Sequence, residues 1–90
     1  MGRNRNGSDI YDPVPIIIAT AQCIKIARLQ KGLDQAHLAE RIGLSQSGYS
    51  RMEAGSRPIT ISDFCLIAGG LNLMPSDLMT IVENAAGLPK

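Results

Sequence analysis

Residues Gln35 to Ala54, QAHLAERIGLSQSGYSRMEA, contain two short amphipathic segments separated by a glycine. Leu38, Ala39 and Ile42 are spaced three and four residues apart, so a helix places all three on one face. Gly43 is suited to end this helix, because a residue without a Cβ enters the left-handed region at little cost. The stretch therefore predicts a helix that stops at Gly43 and a second helix beyond it.

The second segment begins with a residue that is well suited to cap a helix. The hydroxyl of Ser45 can accept a hydrogen bond from a first-turn amide, so we expect the helix to begin at Gln46. Tyr49 and Met52 then belong to its buried side, together with Gly48. The outward side carries four polar residues: Gln46, Ser47, Ser50 and Arg51. Taken alone, such a polar row is also typical of a solvated helix face in any small all-α domain.

The flanking segments predict three more helices. A first helix is expected to begin near Pro15, because proline is well tolerated in a first helical turn. Thr60 is a suitable cap for a helix from Ile61 to about Leu71, and Pro75 is a suitable first residue for a last helix ending near Glu83. In the helix after Thr60, the predicted buried stripe comprises Ile61, Phe64, Cys65, Ala68 and Leu71.

These helices divide the chain into three parts. Residues 1–14 are rich in Gly, Asn, Arg and Asp, and we expect them to form a flexible N-terminal arm. Residues 15–84 form the predicted helical domain. Residues 85–90, which contain Gly87 and Pro89, are expected to be a frayed C-terminal tail.

The composition of the 90-residue chain fits one small helical domain. Hydrophobic residues make up 44% of it, enough for a modest core, while aromatic residues make up only 3%. There is no alternating apolar run flanked by hairpin turns, so we expect an all-α fold. Nine Lys and Arg residues against eight Asp and Glu residues leave a net charge of +1. The chain therefore lacks the strong positive charge that a surface dominated by phosphate contacts gives.

No arrangement of residues is typical of a catalytic or metal site. The one histidine, His37, has no cysteine or second histidine at metal-ligand spacing. Gly69 and Gly70 lack the lysine and the preceding strand of a phosphate-binding loop. Cys23 and Cys65 lie on apolar helix faces, where buried free thiols are more common than nucleophiles or disulfides. We therefore expect no enzymatic activity, no cofactor, no metal and no small-molecule effector.

The apolar beginning of the chain does not resemble a membrane or export segment. The stretch from Val14 to Ala21 is far shorter than a membrane span. No small-residue cleavage site follows a long apolar core, as it would in a secretory signal. The sequence therefore predicts a cytoplasmic protein with no membrane partner.

The segment GLDQAHLAERIGLSQSGYSRMEAGSR, residues 32–57, resembles the helix-turn-helix of the phage Cro and repressor-like family, also called the XRE family. The resemblance extends over residues 20 to 83. It implies a five-helix, lambda-repressor-like DNA-binding domain whose second motif helix lies in the major groove of double-stranded DNA. We therefore expect a sequence-specific transcriptional regulator.

The family pattern also implies a role for individual residues. The first residue of the first motif helix usually touches a phosphate, and Gln35 matches that position. The opening residues of the recognition helix usually contact base edges, and Gln46 and Ser47 match them, with Ser50 one turn further along. A glutamine amide both donates and accepts, so it can form a bidentate pair with adenine in the major groove.

Two arginines and an ion pair complete the set that the resemblance implies. Arg51 and Arg57 are expected to contact the DNA backbone and to fix the register without selecting a sequence. The family often pairs an arginine of the first helix with a glutamate near the end of the recognition helix. Arg28 and Glu53 match these positions, so we expect that ion pair.

Three positions depart from the family pattern. Tyr49 replaces a branched aliphatic residue, so its hydroxyl must reach solvent, contact DNA or find a partner. Gly48 lies inside the recognition helix at a cost of about 1 kcal/mol relative to alanine, which indicates either a close approach of another group or a softened helix. Pro58 comes one residue before the family's usual proline, so the loop that carries Arg57 is expected to differ in shape.

The last predicted helix is apolar on more than one face. At the end of a small domain, such a helix needs a second partner. We expect a symmetric homodimer that binds two half-sites of a near-palindromic operator and so offsets the weak affinity of each subunit. The predicted dimer interface comprises Leu73, Met74, Leu78, Met79 and Val82. The alternative is that a five-helix core uses all of these side chains.

Other functions remain open from the sequence. A protein-interaction module, for example an antitoxin or an adaptor, can use the same fold, and the near-neutral charge favours it. Among DNA-binding proteins, a stand-alone domain suits a phage or plasmid repressor, an antitoxin, or the controller protein of a restriction-modification system. The segment GSRPITISDFCLIAGGL, residues 55–71, is similar to controller proteins. The sequence specifies neither the target DNA nor whether the protein activates or represses.

Overall fold

The computed structural model describes residues 14–87, and this part of the chain consists of helices joined by short loops. The helices are α1 (Val14–Gln30), α2 (Gln35–Ile42), α3 (Gln46–Glu53), α4 (Ile61–Gly70) and α5 (Pro75–Ala86). The predicted all-α, five-helix fold is confirmed. Residues 1–13 of the expected arm and residues 88–90 of the expected tail lie outside the described residues.

Side-chain caps set the beginnings of three helices, and those at Ser45 and Thr60 are as the sequence predicts. Asp34 Oδ1 accepts a hydrogen bond from a first-turn amide of α2 at 2.8 Å, and Ser45 Oγ accepts one from a first-turn amide of α3 at 3.1 Å. Thr60 and Asp63 cap α4 reciprocally, each side chain accepting from the other's backbone amide. Gly43 ends α2 with φ 73°, in the left-handed region. Local chemistry therefore fixes the turn between α2 and α3.

One hydrophobic core draws on all five helices. Helix α1 packs against α3 and α5, while α2 packs against α3 and α4. The largest side chains with no appreciable exposure are Ile24, Leu38, Tyr49, Met52, Ile67, Leu71, Leu78 and Val82. The two motif helices are therefore supported by α1, which packs against α3, and by α4, which packs against α2.

Helices α2 and α4 approach closely at Gly70. A Cβ at this position would lie 2.8 Å from Ile42 Cγ2 and 2.8 Å from Leu38 Cδ1, which is closer than real side chains pack. Arg41 reaches across from α2 and donates a hydrogen bond from Nη1 to the carbonyl of Gly70 at 3.0 Å. The end of α4 therefore supports α2, the first helix of the motif.

The predicted buried stripe of α4 is wrong at two positions. Ile61 is 83% exposed and Cys65 is also exposed, whereas Ile67 is fully buried. Apolar residues occur on nearly all sides of α4, so their spacing alone does not select the buried face. The expected burial of the Cys65 thiol is therefore wrong, and that of Cys23 is confirmed.

Helix α5 is longer than expected, and part of the predicted dimer interface is internal. The helix continues to Ala86 and ends at Gly87 with φ 72°, so the expected frayed tail does not begin at residue 85. Leu78 and Val82 have no exposed surface and lie in the core. Side chains without exposed surface cannot contact a second subunit, so the interface prediction is wrong for these two residues.

The remaining residues of the predicted dimer interface are partly or largely at the surface. Leu73 is half-buried against the core. Met74 is 65% exposed and Met79 is 37% exposed. These methionines therefore keep apolar surface available for a partner.

Within residues 14–87, no single helix is long and apolar enough to cross a membrane. Helices α4 and α5 reach the required length and hydropathy only together, as a pair bent by 106°.

Candidate nucleic-acid interface

Helix α3 separates a polar outward side from a buried side. The outward residues are Gln46, Ser47 and Arg51, which are exposed, and Ser50, which is half-buried. The buried residues are Gly48, Tyr49, Met52 and Glu53. The residues of α3 that are expected to contact DNA therefore share the face directed away from the core.

A buried ion pair joins α1 to the end of α3. Arg28 is 6% exposed, and its Nε donates to Glu53 Oε2 at 2.6 Å while its Nη2 donates to Oε1 at 3.1 Å. The remaining terminal nitrogen, Nη1, donates to the carbonyl of Leu33 at 2.7 Å, in the loop before α2. The expected ion pair is confirmed. Because it is bidentate and buried, it fixes the orientation of α3 relative to α1.

The same carboxylate accepts two further hydrogen bonds. The hydroxyl of Tyr49 donates to Glu53 Oε2, and Gln35 Nε2 donates to Oε1 at 3.0 Å. Tyr49 is fully buried, so its hydroxyl has its partner inside the protein and does not face DNA. One N–H of the Gln35 amide is likewise held by Glu53. The carboxylate therefore links the first residue of α2 to both α1 and α3.

Tyr49 and Gln35 belong to this network, although the sequence did not predict their membership. Tyr49 and Glu53 are four residues apart, and residues at that spacing are neighbours on a helix. That spacing was the available signal for the tyrosine. The Gln35 contact joins two helices, and no local pattern indicates it.

The network shifts the pKa of its ionisable groups. Burial by itself raises the pKa of Glu53, but hydrogen bonds from Arg28, Tyr49 and Gln35 outweigh burial and hold that pKa below its usual value. Burial, together with the neighbouring Glu53 carboxylate, raises the pKa of the Tyr49 phenol. The hydrogen bond to Glu53 raises the pKa of Arg28. At neutral pH the network therefore contains a charged pair and a neutral tyrosine.

Arg57 lies against the first turn of α3. A Cβ at Gly48 would overlap Arg57 Nη1 and would lie 3.7 Å from Arg57 Cζ. A close approach is one of the two alternatives that the sequence gives for Gly48, and the guanidinium of Arg57 is the group that makes it. The loop after α3 thus returns an arginine to the end of the helix where Gln46 and Ser47 are exposed.

Within residues 14–87, the remaining polar and thiol groups do not assemble into a metal site. His37 is exposed, with Nδ1 3.0 Å from Asp34 Oδ1. Among residues 14–87, no group of three or more His, Cys, Asp or Glu side chains is arranged to hold a metal ion.

An apolar groove lies between the start of α1, the loop after α3 and the starts of α4 and α5. Its volume is about 920 Å³. The apolar side chains that line it include Ile17, Ile59, Ile61, Phe64, Cys65 and Met79. Ile17 is 53% exposed, so the groove continues onto an apolar surface of α1.

Comparison with known proteins places this geometry in a family. The helix-turn-helix family model matches residues 24–78, more than half of the chain. No curated protein matches the chain. The wild-type restriction-modification controller protein C.Esp1396I is 28% identical, with a TM-score of 0.74 over 78% of this chain and 92% of that chain. Another structure of C.Esp1396I is a tetramer in complex with its natural 35 base-pair operator.

Two further solved structures share the fold. The restriction-modification controller protein C.AhdI from Aeromonas hydrophila is 29% identical, with a TM-score of 0.66 over 69% of this chain and 94% of that chain. The clp gene regulator ClgR from Corynebacterium glutamicum is 18% identical, with a TM-score of 0.75 over 80% of this chain and 77% of that chain. The motif, the buried Arg28–Glu53 pair and the family match agree: the chain belongs to the helix-turn-helix family of the Cro and repressor-like, or XRE, type.

Proposed function

We propose that this protein is a sequence-specific DNA-binding transcriptional regulator that inserts α3 into the major groove. The observation that carries the proposal is the polar outward side of α3, on a helix whose opposite side is fixed in the core. An α-helix fits the width of the major groove, where each base pair presents a distinct set of donors and acceptors. The similarity to C.Esp1396I, whose structure contains operator DNA, supports the same use of the motif.

The outward residues have different roles in this proposal. Gln46 and Ser47 contact base edges, and Ser50 extends this contact by one turn. Arg51 and Arg57 contact phosphates and set the register. Gln35, at the start of α2, contributes a further phosphate contact.

We infer that the protein binds DNA as a symmetric dimer. Ile61, Met74 and Met79 are 83%, 65% and 37% exposed, and apolar surface exposed on α4 and α5 beside an apolar groove is typical of an interaction site. A net charge of +1 gives one subunit little electrostatic attraction to phosphates, and a second linked copy raises the overall affinity. The proposed dimer contact uses Ile61, Met74 and Met79, the exposed part of Leu73, and the apolar groove beside them.

Substitution of Ile61 by glutamate tests the dimer. Ile61 makes little contact within the subunit, so the variant is expected to fold normally while the charged side chain opposes association. Multi-angle light scattering then shows a monomer where the wild type is a dimer. Ser62→Glu, at a neighbouring exposed position, is the matched control. A wild type that is monomeric at all concentrations contradicts the proposal.

Among DNA-binding regulators, a restriction-modification controller is the favoured class. Two different controller proteins share 28% and 29% identity with this chain and are covered over more than nine-tenths of their length. A protein-interaction module on the same fold has no comparable support. DNA as the partner places the protein in the cytoplasm, and the proposal assigns it no catalytic role, cofactor or small-molecule effector.

Selection from a random library of double-stranded DNA tests the proposed function. The recovered sites are expected to be near-palindromic, with half-sites about one helical turn apart. Gln46→Ala is expected to cost about 1–3 kcal/mol in binding and to relax the preference at one base pair. Gln22→Ala, which removes an exposed glutamine from α1, is the control. Failure to enrich any sequence, even at low salt where phosphate contacts are strongest, overturns the proposal.

A further inference from the structure

Gly48 is a glycine in the first turn of the recognition helix, where its backbone does not require one. Left-handed backbone occurs at Gly32, Gly43, Gly55 and Gly87, whereas Gly48 has ordinary helical dihedrals. Glycine is the least favourable helical residue after proline, so another requirement must act at this position. A need for space, and not for backbone freedom, is the remaining physical reason.

The space beside Gly48 is occupied by the end of the Arg57 side chain. A Cβ at residue 48 would overlap Arg57 Nη1, and its next neighbours would be Ser45 Oγ at 3.0 Å and Arg57 Cζ at 3.7 Å. The guanidinium of Arg57 therefore occupies the space that a side chain at residue 48 would fill. Within residues 14–87 no hydrogen bond or ion pair involves that guanidinium, and the absence of a side chain at Gly48 leaves the room in which it lies.

The backbone that carries Arg57 is held independently. The amides of Ser56 and Arg57 both donate to the carbonyl of Arg51, at 3.0 Å and 3.2 Å. Gly55, with φ 78°, comes just before these two residues in the sequence and turns the chain back along α3. The backbone of Arg57 is thus hydrogen-bonded to the last turn of α3, and its guanidinium lies beside the first turn.

We propose that Gly48 is a positioning residue that seats the guanidinium of Arg57 beside the base-contacting end of α3 before DNA binds. This inference rests on the proposed DNA-binding function, since the arginine is seated for a nucleic acid. A free arginine side chain loses considerable rotamer entropy when it binds a phosphate or a base, and seating it in advance reduces that loss. The contribution of Arg57 to operator affinity therefore depends on the residue at position 48.

Gly48→Ala separates this role from a role in stability. The new methyl meets the flexible end of Arg57 first, so the guanidinium is displaced, whereas Ser45 Oγ, the cap of α3, lies 3.0 Å away and needs to shift by only a few tenths of an ångström. Alanine also favours the helix, so the melting temperature is expected not to fall. Operator affinity, measured by fluorescence anisotropy on the selected site with the full chain, is expected to fall about 2- to 10-fold.

A double-mutant cycle identifies Arg57 as the route of the effect. Arg57→Ala lowers affinity, and in that background Gly48→Ala is expected to cause no further loss, because no guanidinium remains to be displaced. Gly69→Ala is the matched control: it places the same methyl in a helix with no other atom within 4 Å. Its affinity is expected to equal that of the wild type.

A measurement without DNA tests the geometry directly. In the free wild-type protein, nuclear Overhauser effects between the Gly48 Hα protons and the guanidinium protons of Arg57 are expected. In Gly48→Ala, contacts between residue 48 and the Arg57 side chain are expected to disappear.

The outcomes distinguish this inference from the function on which it rests. If the wild type binds no DNA, the proposed function fails. If it binds and Arg57→Ala weakens binding, the function stands. The inference is then overturned by unchanged affinity in Gly48→Ala, by an equal loss in the Arg57→Ala background, or by absent Gly48–Arg57 effects in the free protein.

Discussion

Helices α1 to α3 are joined by directional polar contacts, whereas α4 and α5 join the molecule mainly through apolar packing. In the first region, the Glu53 carboxylate accepts bonds from Arg28, Tyr49 and Gln35, and so connects three helices. In α4 and α5, Leu71 and Leu78 are fully buried, and each described side-chain hydrogen bond pairs a side chain with a backbone group. Hydrogen bonds specify geometry more narrowly than hydrophobic contact does. The region that orients α3 is therefore the region with the polar network.

The largest expected effect comes from breaking the polar network. Glu53→Ala leaves the buried Arg28 guanidinium without its partner, and we expect it to lower the free energy of unfolding by about 3–5 kcal/mol. Urea denaturation followed by circular dichroism measures this. Glu83→Ala, which removes an exposed glutamate from α5, is expected to change stability by less than about 0.5 kcal/mol. Similar losses of stability in Glu53→Ala and Glu83→Ala would contradict a special stabilising role for the polar network of α1 to α3.

The next effect tests how α4 supports the motif. Gly70→Ala places a methyl against Leu38 and Ile42, and we expect a loss of about 1–3 kcal/mol in the free energy of unfolding. Gly69→Ala meets no neighbour, so it is expected to be neutral or to stabilise by up to about 1 kcal/mol. Thermal unfolding of the two variants side by side compares them. Equal stabilities would show that α2 and α4 do not pack closely at Gly70.

A smaller effect is expected from one member of the network. Tyr49→Phe removes the hydroxyl that donates to Glu53 and keeps the buried ring. Because the carboxylate retains its bonds from Arg28 and Gln35, we expect a loss of about 1 kcal/mol in the free energy of unfolding. Urea denaturation detects it as a lower midpoint with an unchanged slope. A neutral or stabilising substitution would show that the hydroxyl does not stabilise the fold.

The smallest expected effect is a decrease in the stability of the fold at acidic pH. The pKa of Glu53 is lower in the folded protein than in the unfolded chain, so its ionisation stabilises the fold above the unfolded value of about 4.3. That stability is lost as the pH falls from about 4.3 through the folded value. The carboxyl carbon shift of Glu53, followed by NMR, is expected to titrate below the usual glutamate value. A midpoint at or above that value would contradict a lowered pKa for Glu53.

The sequence predicts features governed by local rules and misses those governed by packing between helices. The Ser45 cap and the left-handed Gly43 follow from short-range chemistry, and the structure contains both. The exposure of Ile61 does not follow from the sequence, because a helix that is apolar on all sides can bury any one of its faces. The interface prediction for Val82 is wrong for a related reason: core and interface positions favour the same residue types, and only the packed structure separates them.

At the candidate site, the outward face of α3 and the ion pair were predictable, but their connections were not. Spacing places Gln46 on the outside, and the family pattern indicates Arg28 with Glu53. The proximity of Arg57 to Gly48 depends on the path of a loop that contains an early proline. That path is decided by tertiary contacts, so the sequence indicates a close approach without naming the group that makes it.

In the proposed DNA-binding mode, the exposed positions of α3 allow the target sequence to change without rebuilding the domain. Gln46 and Ser47, the proposed base-contacting residues, are exposed and take no part in the carboxylate network. Substitutions among them leave the scaffold intact, so natural variants or engineered libraries can acquire new operators while retaining thermal stability. A change of target sequence therefore requires randomising the codons of a few adjacent surface residues. The buried Tyr49 and Glu53 are the positions to leave unchanged.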